Sequence, residues 1–103
     1  YSPQTLVENA IEVVASRAAD QNIELIAQID PDSPPWVMGD ASRLRQILVN
    51  FVSNAVKFTK DGEVMLSLWT HRGSDGRYEM RYSVRDTGIG IPLEQEKKIF
   101  LHF

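Results

Sequence analysis

Apolar residues recur along this chain with two different periods, and the changes of period divide it into elements. From Ser2 to Ala19, the positions Leu6, Ala10, Val13, Val14 and Arg17 fall at helical spacing. Ser2 suits the N-cap, and Pro3 suits the first helical position, where a missing N–H costs nothing. Between Ile23 and Ile29 the period drops to two: Ile23, Leu25, Ala27 and Ile29 alternate with Glu24, Ile26 and Gln28, which predicts a strand with one face on a core. Pro31, Pro34 and Pro35 then exclude a regular element, and a short edge strand over Trp36 to Met38 is the expectation before Gly39.

Asp40 has the chemistry of an N-cap, and no Gly or Pro interrupts the residues from there to Phe58, so a long helix is predicted. Glu63 to Thr70 and Arg77 to Asp86 read as two strands of a hairpin joined through "HRGSDG". A short helix over Glu94 to Phe100 is expected after Pro92. The order α-β-α-β-β-α predicts an α+β domain, residues 1–103: a two-layer sandwich with the helices on one face of a mixed sheet. Composition adds exclusions. With 43% hydrophobic residues and no run near the ~20 that a membrane helix needs, a single globular core is expected. No cysteine means no disulfide and no thiolate metal site. A net charge of −3 with scattered Lys and Arg argues against a nucleic-acid footprint, so any bound phosphate must be held locally.

Two features carry chemistry. On the helix of residues 40–58, Leu44, Ile47, Leu48, Phe51, Val52, Ala55 and Phe58 fall within an arc of about 140°, the expected core face. Asn50, Asn54 and Lys57 form a polar stripe bordering it. Asn disfavours helix, so a pair one turn apart points to use rather than to structure. Amide oxygens at i and i+4 reach one hard cation or its waters, and a lysine meets a phosphate; Mg²⁺ with a nucleotide fits. The second feature is Asp86, which by parity shares a face with Tyr78, Met80, Tyr82 and Val84. A carboxylate ending an apolar row needs a partner: the N–H groups of its own Asp-Thr-Gly turn, or a ligand's amino group. Gly88 and Gly90 permit close backbone approach, and Ile89 and Ile91 could line an apolar slot for a flat base.

These residues match a known pattern. "LRQILVNFVSNAVKFT", residues 44–59, resembles the N box of sensor histidine kinases, "DTGIGIP" resembles their first glycine box, and "IFLHF", residues 99–103, is similar to the start of the F box. The resemblance covers essentially the whole chain and implies the Bergerat-type ATP-binding catalytic domain shared with gyrase, mismatch-repair and heat-shock chaperone ATPases. It implies that Asn50 and Asn54 hold Mg²⁺ and phosphate oxygens, with the direct ligand left open, and that Lys57 contacts phosphate. Phe58 has two readings, beside the nucleotide or in the core. Asp86 would accept the adenine amine, with Gly88, Ile89 and Gly90 shaping the base pocket. Superfamily hydrolases usually carry Glu at the place of Asn50; an amide cannot act as that base, so phosphoryl transfer is implied over hydrolysis.

The family's second glycine-rich box does not follow the F box here, so a fragment incomplete at its C-terminus, inactive alone and without a certain catalytic residue, is the expectation. Neither His71 nor His102 has the surroundings of a phosphoacceptor. The resemblance places that histidine in a separate dimerisation domain through which the intact kinase forms a homodimer, with a response regulator receiver as further partner. The expected location is cytoplasmic, including the cytoplasmic part of a membrane-bound sensor. Two rivals stand beside this reading. An aspartic protease built on Asp86-Thr87-Gly88 would need a nearly all-β layout, against the two helices predicted. A nucleotide-binding or protein-interaction module without turnover would share the same fold.

Overall fold

The computed structural model describes residues 1–59 and 61–86 with their side chains, and the backbone of 94–102. Its elements are α1 (Pro3–Asp20), β1 (Ile23–Ile29), α2 (Ala41–Phe58), β2 (Gly62–Arg72), β3 (Arg77–Asp86) and β4 (Glu94–His102). The sheet order is β1-β2-β3-β4, with β1 parallel to β2 and the remaining pairs antiparallel. Both helices pack against the sheet and against each other. The buried strand residues Val64, Leu66, Leu68, Met80, Tyr82 and Val84 share one parity on each strand, so the helices occupy one face. This is the expected two-layer sandwich with a mixed sheet. Among the described residues no helix is long and apolar enough to cross a membrane.

Both caps form as their residue types dictate. Ser2 Oγ accepts from Thr5 N–H at 3.3 Å, and Asp40 Oδ1 accepts from Arg43 N–H at 3.1 Å. The hairpin closes through Gly73 N–H donating to Arg77 O at 2.8 Å, with Gly76 at φ +81°, a value that favours glycine. Asp30 caps β1 at this same end of the sheet: its carboxylate accepts from Thr70 N–H and Asp32 N–H, both at 3.0 Å, which holds it below the usual carboxylate range.

Four expectations change. Glu94 to Phe100 is not a helix but part of β4. Glu, Gln and Lys favour helix by only tenths of a kcal/mol each, whereas the edge of β3 offers a continuous row of backbone partners. Trp36 to Met38 does not join the sheet; instead Tyr1 N donates to Val37 O and Val37 N–H to Tyr1 O, each at 2.8 Å, which buries Val37 alone. Val13 lies 52% exposed because α1 turns Val7 and Ala18 inward beside Leu6, Ala10 and Val14. On α2 the buried residues are Leu44, Leu48, Val52, Ala55 and Val56. The inward arc is thus rotated away from the polar stripe, taking in Val56 and releasing Phe58, which is 61% exposed.

Two measurements check this arrangement. Asp40→Ala removes the cap of α2 and is expected to cost about 1 kcal/mol, or roughly 4–8 °C in melting temperature for a domain of this size. Phe58→Ala is expected to shift stability by no more than about 0.5 kcal/mol, against the 3–5 kcal/mol of a buried aromatic. Urea melts of the two variants read both values.

Candidate functional site

The rotation of α2 creates an outward surface. Asn50, Asn54, Lys57 and Phe58 are all exposed, within an arc of about 100° on the helix wheel. Their burial would have left amide and ammonium groups to be desolvated, so the apolar side of the helix takes the core and the stripe faces out. Lys57 Nζ sits 5.4 Å from the centroid of the Phe58 ring, a cation–π contact that orders the end of the stripe. Two amide oxygens one turn apart, a cation and an aromatic face thus share one helix surface. Oxygen donors that are neutral and open to solvent fit a hard, partly hydrated cation, so Asn50 and Asn54 suit Mg²⁺.

The end of α2 is held by the turn that follows α1. Asn22 Nδ2 donates to Asp61 Oδ1 at 3.0 Å, Asp61 N–H donates to Gln21 O at 3.4 Å, and the Gln21 amide, oriented to donate, reaches Thr59 O at 3.0 Å. Asn22 and Asp61 adopt φ of 56° and 54°, left-handed conformations that Asn and Asp tolerate better than other side chains. Thr59, the helix C-cap, is buried between these turns, and among the described residues its Oγ1 meets no hydrogen-bond partner. Nothing in the sequence pattern singles out Thr59, because a buried hydroxyl beside an exposed aromatic has no local signature.

Asp86 completes the arrangement. It is 7% exposed and lies on the helix-covered face, ending the row Met80, Tyr82 and Val84. Its ladder partner is Val64, two residues past the start of β2, and only residues 59–61 lie between the end of α2 and that start. The carboxylate is therefore at the end of the sheet where α2 delivers Lys57 and Phe58. Gly88, Ile89 and Gly90, expected to wall the base pocket, lie outside the described residues. His71 stands on the opposite face of β2, exposed and away from this end. Among the described residues no group of three or more His, Asp or Glu could hold a metal, and cavities of about 540 and 400 Å³ beside Trp36 lie apart from the stripe. Two helices on one sheet face also remove the protease reading, which needs a nearly all-β layout.

Comparison with known proteins places the chain in a family. The sequence profile of the "Histidine kinase-, DNA gyrase B-, and HSP90-like ATPase" family matches residues 39–103. Hybrid signal transduction histidine kinase L of Dictyostelium discoideum is 38% identical over 97 residues, 94% of this chain and 6% of that protein. Histidine protein kinase 1 of Candida albicans is 37% identical over 100 residues, 97% of this chain and 4% of that protein. The structure of full-length ShkA in complex with AMPPNP superposes with a TM-score of 0.73 at 37% identity, covering 88% of this chain and 19% of that one. The chain thus spans a small part of the relatives it matches, and what it matches in each is a histidine kinase. It belongs to the histidine kinase-, DNA gyrase B- and HSP90-like ATPase family, on the histidine kinase side of it.

Proposed function

We propose that this chain is the ATP-binding part of a sensor histidine kinase, which presents Mg-ATP for phosphoryl transfer to a histidine on a separate dimerisation domain. The observation that supports the reading is that a buried carboxylate, Asp86, ends β3 at the end of the sheet where α2 stops, and that α2 carries Asn50, Asn54, Lys57 and Phe58 exposed along one stripe. ShkA, at 37% identity, was crystallised with AMPPNP, which supports an adenine nucleotide as the ligand class. Relatives named as hybrid kinases support a receiver domain as the further partner. A cytoplasmic site of action and a homodimer through the dimerisation domain complete the proposal.

Each residue has a task. Asn50 and Asn54 offer amide oxygens to Mg²⁺ or its waters, and Lys57 offers a point charge to phosphate. A Mg²⁺ held by these amides would supply positive charge to the phosphate oxygens. The amides cannot take a proton from water, so this surface positions a nucleotide without activating a water, which favours transfer to an incoming imidazole. Phe58 lies beside the nucleotide, consistent with its exposure. Asp86 accepts a hydrogen bond from the adenine amine; guanine sets a carbonyl oxygen there, and two acceptors oppose each other.

Isothermal titrations test the two halves of the site. Asn54→Ala is expected to abolish the gain that Mg²⁺ gives to ATP binding while the melting temperature holds; full metal dependence in the variant takes Asn54 out of the metal site. Asp86→Asn is expected to weaken ATP by about 2 kcal/mol, roughly thirtyfold, and to narrow the preference for ATP over GTP. A variant that melts early yet keeps the wild-type nucleotide ratio makes Asp86 a turn residue.

A further inference from the structure

The sheet order leaves β1 at an edge, with β2 on one side only among the described residues. The direction of its backbone groups follows from the end of the strand. Asp30 N–H donates to Leu68 O of β2 at 2.8 Å. Backbone polar groups alternate sides along a strand, so residues 24, 26 and 28 also face β2, and Ile23, Leu25, Ala27 and Ile29 turn theirs to the open edge. No backbone hydrogen bond among the described residues takes up those outward groups.

Natural edges are guarded by lysine, proline or a bulge. β1 has none of these: its register with β2 runs unbroken from Ile23 to Ile29, and its single charge is Glu24. Its margin is apolar, since Leu25 and Ile29 are only partly buried against the core and Ile26 is half-buried on the outer face.

We infer that β1 is a self-association edge, pairing antiparallel with β1 of a second copy of this chain about a two-fold axis at Ile26. The choice of partner and register rests on self-complementarity. Outward groups on odd residues require odd to pair with odd, which allows axes only at a residue. An axis at Glu24 opposes that carboxylate to itself, and one at Ala27 opposes it to Asp30. An axis at Leu25 runs two pairs off the strand into Gln21 and Asn22. The axis at Ile26 uses the whole strand, sets Ile26 against Ile26 and puts Glu24 across from the Gln28 amide. Those are non-hydrogen-bonded pairs, where side chains approach most closely. The isologous contact closes on itself and leaves β1 no edge to extend.

The absence of native cysteine makes the test direct. Residues opposed in such a pair lie about 4.5 Å apart at Cα, within disulfide range, whereas two copies of position 28 are about 13 Å apart in this register. Ile26→Cys is therefore expected to form a disulfide dimer under mild oxidation at least roughly tenfold faster than Gln28→Cys, which is exposed on the same face. Sedimentation over a concentration series reaching the millimolar range should show a wild-type dimer that Ile26→Lys, with two ammonium groups on the axis, dissociates without loss of helical circular dichroism. Equal oxidation rates for the two thiols, a wild type that stays monomeric, or a dimer that survives in folded Ile26→Lys overturns the inference.

Discussion

The rotation of α2 against the sheet is the constraint on which the rest of the molecule depends. Leu44, Leu48, Val52, Ala55 and Val56 are buried against a sheet face whose own row includes Leu66, Leu68, Met80 and Tyr82. Each large aliphatic side chain gains about 1.5–3 kcal/mol by burial. Turning the helix by one residue would expose part of that set and push Asn54 toward the core, where an unpartnered amide costs on the order of 1–3 kcal/mol. The two penalties have the same sign. The position of the candidate stripe is thus a consequence of core packing: it is set by the buried residues on the other side of the helix.

Connection length then links that helix to the carboxylate. Only residues 59–61 separate α2 from β2, so the helix end and the strand start cannot part. Antiparallel pairing returns β3 to the same place, with Asp86 opposite Val64. The clasp of Gln21 and Asn22 on Thr59 and Asp61 stiffens the short connection from the side of α1. These few residues set both the fold and the end of the sheet to which Asp86 and the C-terminus of α2 are delivered.

Local chemistry made much of this legible. Ser2, Pro3 and Asp40 marked the helix starts, the alternation over Ile23–Ile29 marked β1, and parity alone placed Asp86 on the covered face. What escaped was tertiary. On α2 the apolar residues fill more of the wheel than one face needs, so Val56 and Phe58 were both admissible core residues, and only contact with the sheet decides between them. Val13 was misread for the same reason. β4 escaped because its composition favours helix weakly, while its pairing depends on a strand edge that local propensity does not register. Thr59 escaped because the burial of a polar C-cap is set by a turn 37 residues earlier in the chain, around Asn22.

The open edge and the candidate nucleotide surface are separated by the sheet itself. β2 lies between β1 and β3, so the outward groups of β1 stand about two strand spacings, close to 10 Å, from the strand that carries Asp86. The candidate site lies at the end where β1 and β2 both begin, since Ile23 pairs with Gly62 in parallel. Antiparallel pairing of two β1 strands therefore points the two sites toward opposite ends of the joined sheet and covers neither. Coupling between two sites requires an element that each of them biases differently. The β1 edge shares no residue with the candidate site, so pairing there neither covers nor replaces any of the groups proposed to hold the nucleotide.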